Sequence, residues 1–160
     1  MTVKDIDKGW KQLGETIRKS GNLSVTVGVH GRDKGRTDGA INNVGLAAVH
    51  EFGSPQASIP ERSFVRSTVD ARIADRVWTR KINKLGSAIY AGTMSVRQAL
   101  EIMGLTMSRS IQRTISTSGD SASANWQDLK PATIARKASE KALIDTRELL
   151  KSVKHYVGPG

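Results

Sequence analysis

The chain has 160 residues, 38% of them apolar and only 4% aromatic, with a mean hydropathy of −0.37. This composition allows one modest core and fits a single domain over 1–160 that gains stability by burying surface against copies of itself. No apolar run approaches the ~18 residues of a membrane span, and the absence of cysteine rules out disulfides and thiolate metal sites. Net charge is +10, and ten basic against four acidic residues fall between 61 and 117. Such a charge fits nucleic acid, an acidic protein neighbour or an anionic surface without choosing among them.

The N-terminal "MTVKDIDKGWKQ" mixes both charges without an apolar stretch, so it reads as cytosolic sequence and not as a secretory signal. Ile6, Trp10, Leu13 and Ile17 then recur at helical spacing, with Gly21 as a stop. In "LSVTVGVH", Leu23, Val25, Val27 and Val29 alternate with small or polar residues, which predicts a half-buried strand. The glycine-rich, charged stretch 31–39 reads as a mobile loop, and "AINNVGLAAVHEF" as a short helix ended by Gly53.

Next comes "HEFGSPQASIPERSF", in which Pro55 and Pro60 stiffen a loop leading into a long helix. Ser58 and Glu61 have capping-box spacing, and Ile59 with Pro60 at the first helical position is the alternative start. From there the pattern predicts continuous helix to a break at 91–95. Phe64, Ala71, Ala74, Trp78, Ile82, Leu85 and Ile89 lie within roughly 80° of one another on the helical wheel. Opposite them Arg62, Arg66, Arg72, Arg76, Arg80 and Lys84 form one basic stripe. That stripe can track a phosphate backbone, meet an acidic neighbour, or simply be solvated with help from Asp70 and Asp75.

Ser95 is a candidate cap for a second helix with Val96, Leu100, Met103, Met107 and Ile111 on its apolar side. The Ser-rich 116–125 stretch reads as a second mobile loop. A short helix starts near Pro131, another near Asp145 or Thr146, and "SVKHYVG" reads as a final strand with Val153, His155 and Val157 on one side. This order implies an α+β fold: a small antiparallel sheet packed against one or two long helices, with flexible loops.

Catalytic patterns are missing. His50–Glu51 begins a zincin-like "HE", but Ser54 stands where the second histidine is needed, and Gly53 ends the helix first. His30 and His155 each sit beside an apolar strand, which is the ordinary place of a structural histidine. "GVHGRDKGRT" lacks the spacing of a phosphate-cradling loop, and no nucleophile elbow or paired-carboxylate setting is present. The expectation is a non-enzyme with no catalytic residue, no metal and no cofactor.

Two stretches carry a resemblance. His50–Glu51–Phe52–Gly53 followed by Ile59–Pro60, Arg62 and Phe64 is similar to the "HEFG" and "IP.R.F" segments of the tail completion proteins of tailed bacteriophages. These are also called the virion morphogenesis or head–tail joining family. Leu129, Pro131, Thr133 and Lys137, and then "LIDTRELLKSVKHYV", resemble that family's C-terminal segments, and the strand "VTVGVHG" matches as well. Arg147 departs from the pattern, standing where the family usually has glycine, so continued helix is expected in place of a tight turn.

The resemblance implies a structural virion protein, made in the host cytoplasm and located at the neck or tail top. It implies a ring, generally of six subunits, between the head–tail connector and a tail terminator or tail tube protein. His50, Glu51, Phe52, Gly53, Pro55, Ile59, Pro60, Arg62 and Phe64 are the expected interface with a subunit or partner. Arg66, Arg72, Arg76, Arg80 and Lys84 are the expected contact with channel DNA or an acidic partner. The alternatives are a tail terminator capping the tube and a small basic nucleic-acid-binding protein.

Overall fold

A computed structural model describes residues 9–31, 41–137, 141–143 and 147–160. Expectations that fall on Ile6, on 32–39, on Asp145 and on Thr146 lie outside the described residues. The described chain is α+β: seven helices and a two-stranded antiparallel sheet. The helices are α1 (Trp10–Ser20), α2 (Asn43–Phe52), α3 (Val65–Ala74), α4 (Val77–Tyr90), α5 (Val96–Ser116), α6 (Pro131–Lys137) and α7 (Glu148–Ser152). The strands are β1 (Leu23–Val29) and β2 (Val153–Pro159), and two short 3-10 turns occupy Pro55–Ala57 and Asp120–Ala122.

The alternation in β1 does what period-two patterning requires. Val25 pairs with Val157, Val27 with His155 and Val29 with Val153, so the apolar members share one face. That face lies on α5, where Gly104 permits the contact. A Cβ built there would stand 2.6 Å from His155 Cδ2 and 2.8 Å from Val25 Cγ2. The opposite sheet face carries Ser24, Thr26, Lys154 and Tyr156, with the His30 ring edge-on to Tyr156 at 4.6 Å.

Helix α5 is the spine of two apolar clusters. Ala99 and Met103 near its start pack with Trp78 and Leu85 of α4. Ile111 and Ile115 near its end pack with Ala47, Phe64, Ala142, Leu143, Leu149 and Val153. A buried hydroxyl chain joins α3 to α5, with Thr68 Oγ1 2.6 Å from both Phe64 O and Thr114 Oγ1. Ser121 Oγ lies 3.2 Å from Thr114 Oγ1, and Ala122 is buried, so the Ser-rich segment expected to be a loose loop folds back onto these helices.

Three local expectations need correction. The helix expected from about 61 to 91 is two helices, because Arg76 takes a left-handed conformation at φ 57° and breaks the hydrogen-bond ladder between α3 and α4. With the axis redirected, Ile82 falls on an exposed side instead of the core. The helix also starts later than expected. Residues 60–63 are not helical, Ser58 is left-handed at φ 53°, and α3 begins only at Val65. Finally, Arg147 does not continue a helix. It sits at φ 63°, in the conformation a glycine would favour, and α7 begins one residue later.

Candidate functional site

The block 50–64 folds as a corner whose geometry is dictated by two residues. Gly53 ends α2 at φ 73° and ψ 171°, a region essentially reserved for glycine. A Cβ there would lie 2.9 Å from the backbone nitrogen of Glu61, so the returning chain passes directly over it. Between these passes, Ser54 and Ile59 exchange backbone hydrogen bonds of 2.8 and 3.0 Å, closing the loop that contains Pro55. The chain then runs back beside the end of α2, and the Arg62 amide donates to His50 O at 2.8 Å.

Glu51 is the second determinant. Its carboxylate accepts the backbone N–H groups of Phe64 and Val65 on Oε2 at 2.8 and 2.9 Å, and that of Arg66 on Oε1 at 2.8 Å. Phe64, the residue preceding α3, makes no side-chain cap of its own. A carboxylate 13 to 15 residues upstream therefore caps the helix, satisfying amides that would otherwise be orphaned and complementing the positive end of the helix dipole. Glu51 was one half of the metal-like "HE" pair. Its oxygens are occupied by this capping.

Arg62, expected at an interface, is only 6% exposed. Its Nη2 donates to Gln127 O at 3.0 Å, fastening the corner to the segment ahead of α6, while its buried Nε has no partner. Burial lowers the pKa of this guanidinium, because desolvation penalises the charged form. Arg66 pairs with Glu61 and stands over the Phe52 ring, 5.9 Å from its centroid. Phe52 itself is 69% exposed, the largest apolar side chain that the corner presents outward.

Beside the corner lies a cleft of about 1180 Å³. Its lining takes His50, Phe52, Gly53, Pro55, Ile59 and Pro60 from the corner. Leu129, Lys130, Thr133, Leu143 and Leu149 come from the C-terminal third. The two stretches that carry the resemblance are far apart in sequence and line one concave surface. Nothing in the periodicity of either stretch revealed this meeting, nor the part played by Gln127. The only signal was that both belong to one pattern.

The expected interface residues separate into two groups. Phe52, Pro55, Ile59 and Pro60 are at least partly accessible along the cleft. Phe64 is 1% exposed and belongs to the core, so it is corrected from an interface residue to a packing one, and Glu51 is an internal cap. The basic stripe is also divided. Arg72 pairs with Asp75 and reaches Ser121 O, and Arg80 Nη2 donates to Asp75 O at 3.2 Å. Arg76 and Lys84 are exposed, Arg76 at the helix break itself and Lys84 within α4, whereas Arg66 and Arg72 belong to α3.

The histidines do not converge. His155 Nε2 lies 3.1 Å from Glu101 Oε2 on the sheet side of α5, His30 packs on Tyr156, and His50 lines the cleft. Comparison of the chain with protein-family models, with curated proteins and with solved structures finds no match in any of the three.

Proposed function

We propose that this chain is a structural subunit of a tailed-bacteriophage neck, a tail completion protein that assembles as a ring and joins the tail to the head connector. One observation carries the reading. Residues of the corner "HEFGSPQASIPERSF" line a single cleft together with Leu129, Lys130, Thr133, Leu143 and Leu149. A pattern shared between distant segments is expected where they build one surface together. That surface mixes apolar side chains with charged and polar ones, and its proline-stiffened walls and glycine-locked turn suit docking of a protein segment with little ordering entropy.

On this reading the protein acts through assembly and not through catalysis. Its neighbours are copies of itself, the connector, and a tail terminator or tube protein. The internal engagement of Arg66, Arg72 and Arg80 weighs against a basic stripe devoted to DNA. Virions lacking the chain should accumulate as full heads separated from tails. Class averages of purified necks with the chain labelled should show it in ring stoichiometry at the tail top. Salt-sensitive DNA binding by the free monomer, with normal particles assembled in its absence, would instead favour the nucleic-acid-binding alternative.

A further inference from the structure

We propose that the cleft receives a carboxylate side chain of an acidic partner protein, seated on the guanidinium of Arg62. The proposal rests on the docking role given to the cleft above and names the chemistry of what docks. A buried guanidinium is costly unless an anion or a full set of acceptors compensates for lost hydration. Arg62 has neither among the described residues. Gln127 O is the one acceptor its side chain reaches among the described residues, and its Nε is buried without a partner. An apolar side chain of similar length would fill the same space without that penalty, so stability of the chain alone does not account for arginine here.

Two of the carboxylates near Arg62 are already engaged, and a third, Asp128, lines the same cleft but is exposed and forms no ion pair with Arg62. Glu51 holds the amides of Phe64, Val65 and Arg66, and Glu61 holds Arg66. The guanidinium is planar and offers donors along a rigid fork, which a carboxylate matches in a bidentate way and a carbonyl does not. Around it Leu46, Ile59, Pro60, Leu129, Leu143 and Leu149 line the cleft, so the occupant should carry apolar neighbours beside its acid. The volume of about 1180 Å³ accepts a short peptide segment, more than a lone side chain. A chain of net charge +10 is steered toward a partner of opposite charge.

The test is a titration of the 15N-labelled full chain, followed by NMR at the Arg62 Nε–H and the backbone amides of Gln127 and Lys130. The probes are the blocked peptide Ala-Leu-Glu-Leu-Ala, its Ala-Leu-Gln-Leu-Ala counterpart, and inorganic phosphate. The glutamate peptide should move all three signals in a saturable way, and the glutamine peptide should bind at least tenfold more weakly. Arg62→Lys keeps the charge but not the fork, and it should weaken the glutamate peptide about tenfold with the fold intact by amide spectrum.

Equal binding of both peptides would reduce the cleft to an apolar groove and overturn the proposal. So would an equal response to phosphate, or no response up to the solubility limit of the peptide. Lower self-association of Arg62→Lys in sedimentation would assign the carboxylate to a second copy, and a stability loss in Asp128→Asn or Asp145→Asn that is non-additive with Arg62→Lys would assign it to the chain itself. Either result also overturns it. The readout needs no virion, so a chain absent from necks that binds the glutamate peptide fails only the neck reading. A neck protein that ignores the peptide fails only this one.

Discussion

Helices α3 and α5 begin in opposite ways. At α5, Ser95 and Gln98 satisfy one another's backbone within four residues: Ser95 Oγ accepts from Gln98 N at 3.2 Å, and Gln98 Oε1 accepts from Ser95 N at 2.9 Å. At α3, nothing within the first turn caps the helix, and the amides of Phe64, Val65 and Arg66 converge on Glu51 from the preceding helix. The first start is a property of its own sequence and would persist in a fragment. The second exists only when α2, the glycine-locked turn and the returning chain are all in place. One helix start is local and cheap to lose, and the other ties a helix to the corner of the candidate site.

The sharpest way to break this contrast is Glu51→Ala. It removes the acceptor of three amides, one of them on the fully buried Phe64, and each buried unsatisfied donor costs about 1–3 kcal/mol. The expected loss is about 4 kcal/mol in urea unfolding, with faster hydrogen exchange concentrated at residues 64–66. Glu51→Gln keeps the shape and one acceptor oxygen, so it should lose about half as much. Equal, small losses in both variants would mean that the carboxylate is not the cap.

Gly53→Ala attacks the same corner from the backbone. The side chain would demand a conformation that costs about 1–3 kcal/mol for a non-glycine residue, with its Cβ against the Glu61 nitrogen. A loss of about 2–3 kcal/mol is expected, together with chemical-shift changes that spread to Phe64–Arg66, because the turn positions Glu51 relative to α3. Confinement of those changes to residues 52–54 would uncouple the turn from the cap. The local counterpart, Ser95→Ala, should cost only about 1 kcal/mol and leave the cleft residues unmoved.

The same division explains what was legible in the chain. The Ser95 cap, the alternating valines of β1, Pro131 at the start of α6 and the α+β class all follow from spacings of a few residues, and the structure has them. The start of α3 was misplaced, since Ser58 and Glu61 have the right spacing for a capping box while Pro60 and the Ser54–Ile59 bridge hold that stretch out of helix. The break at Arg76 was also invisible, because arginine carries no turn signal, although the Asp75 carboxylate accepts from the Val77 amide there at 2.9 Å. As for the site, its corner was recognisable by pattern. The burial of Arg62 and Phe64 and the meeting with Leu143 and Leu149 depend on contacts that no local spacing encodes.

A third helix start sharpens the comparison by having neither kind of cap. Helix α7 follows Arg147, which sits at φ 63° and makes no side-chain cap. The left-handed conformation costs a non-glycine residue about 1–2 kcal/mol, and glycine adopts it without that strain while losing about 0.5–1 kcal/mol more backbone entropy on folding. Arg147→Gly is therefore expected to stabilise the chain by about 0.5 kcal/mol, raising the urea midpoint by a few tenths molar. The sign is the informative part. Were Arg147 the interior of a longer helix, glycine there would instead destabilise by about 1 kcal/mol. A measured increase supports a tight turn before Glu148 even where the sequence offers arginine, and it would set α7 apart from α5 and α2, whose starts are capped within their own first turns by Ser95 and Asn42.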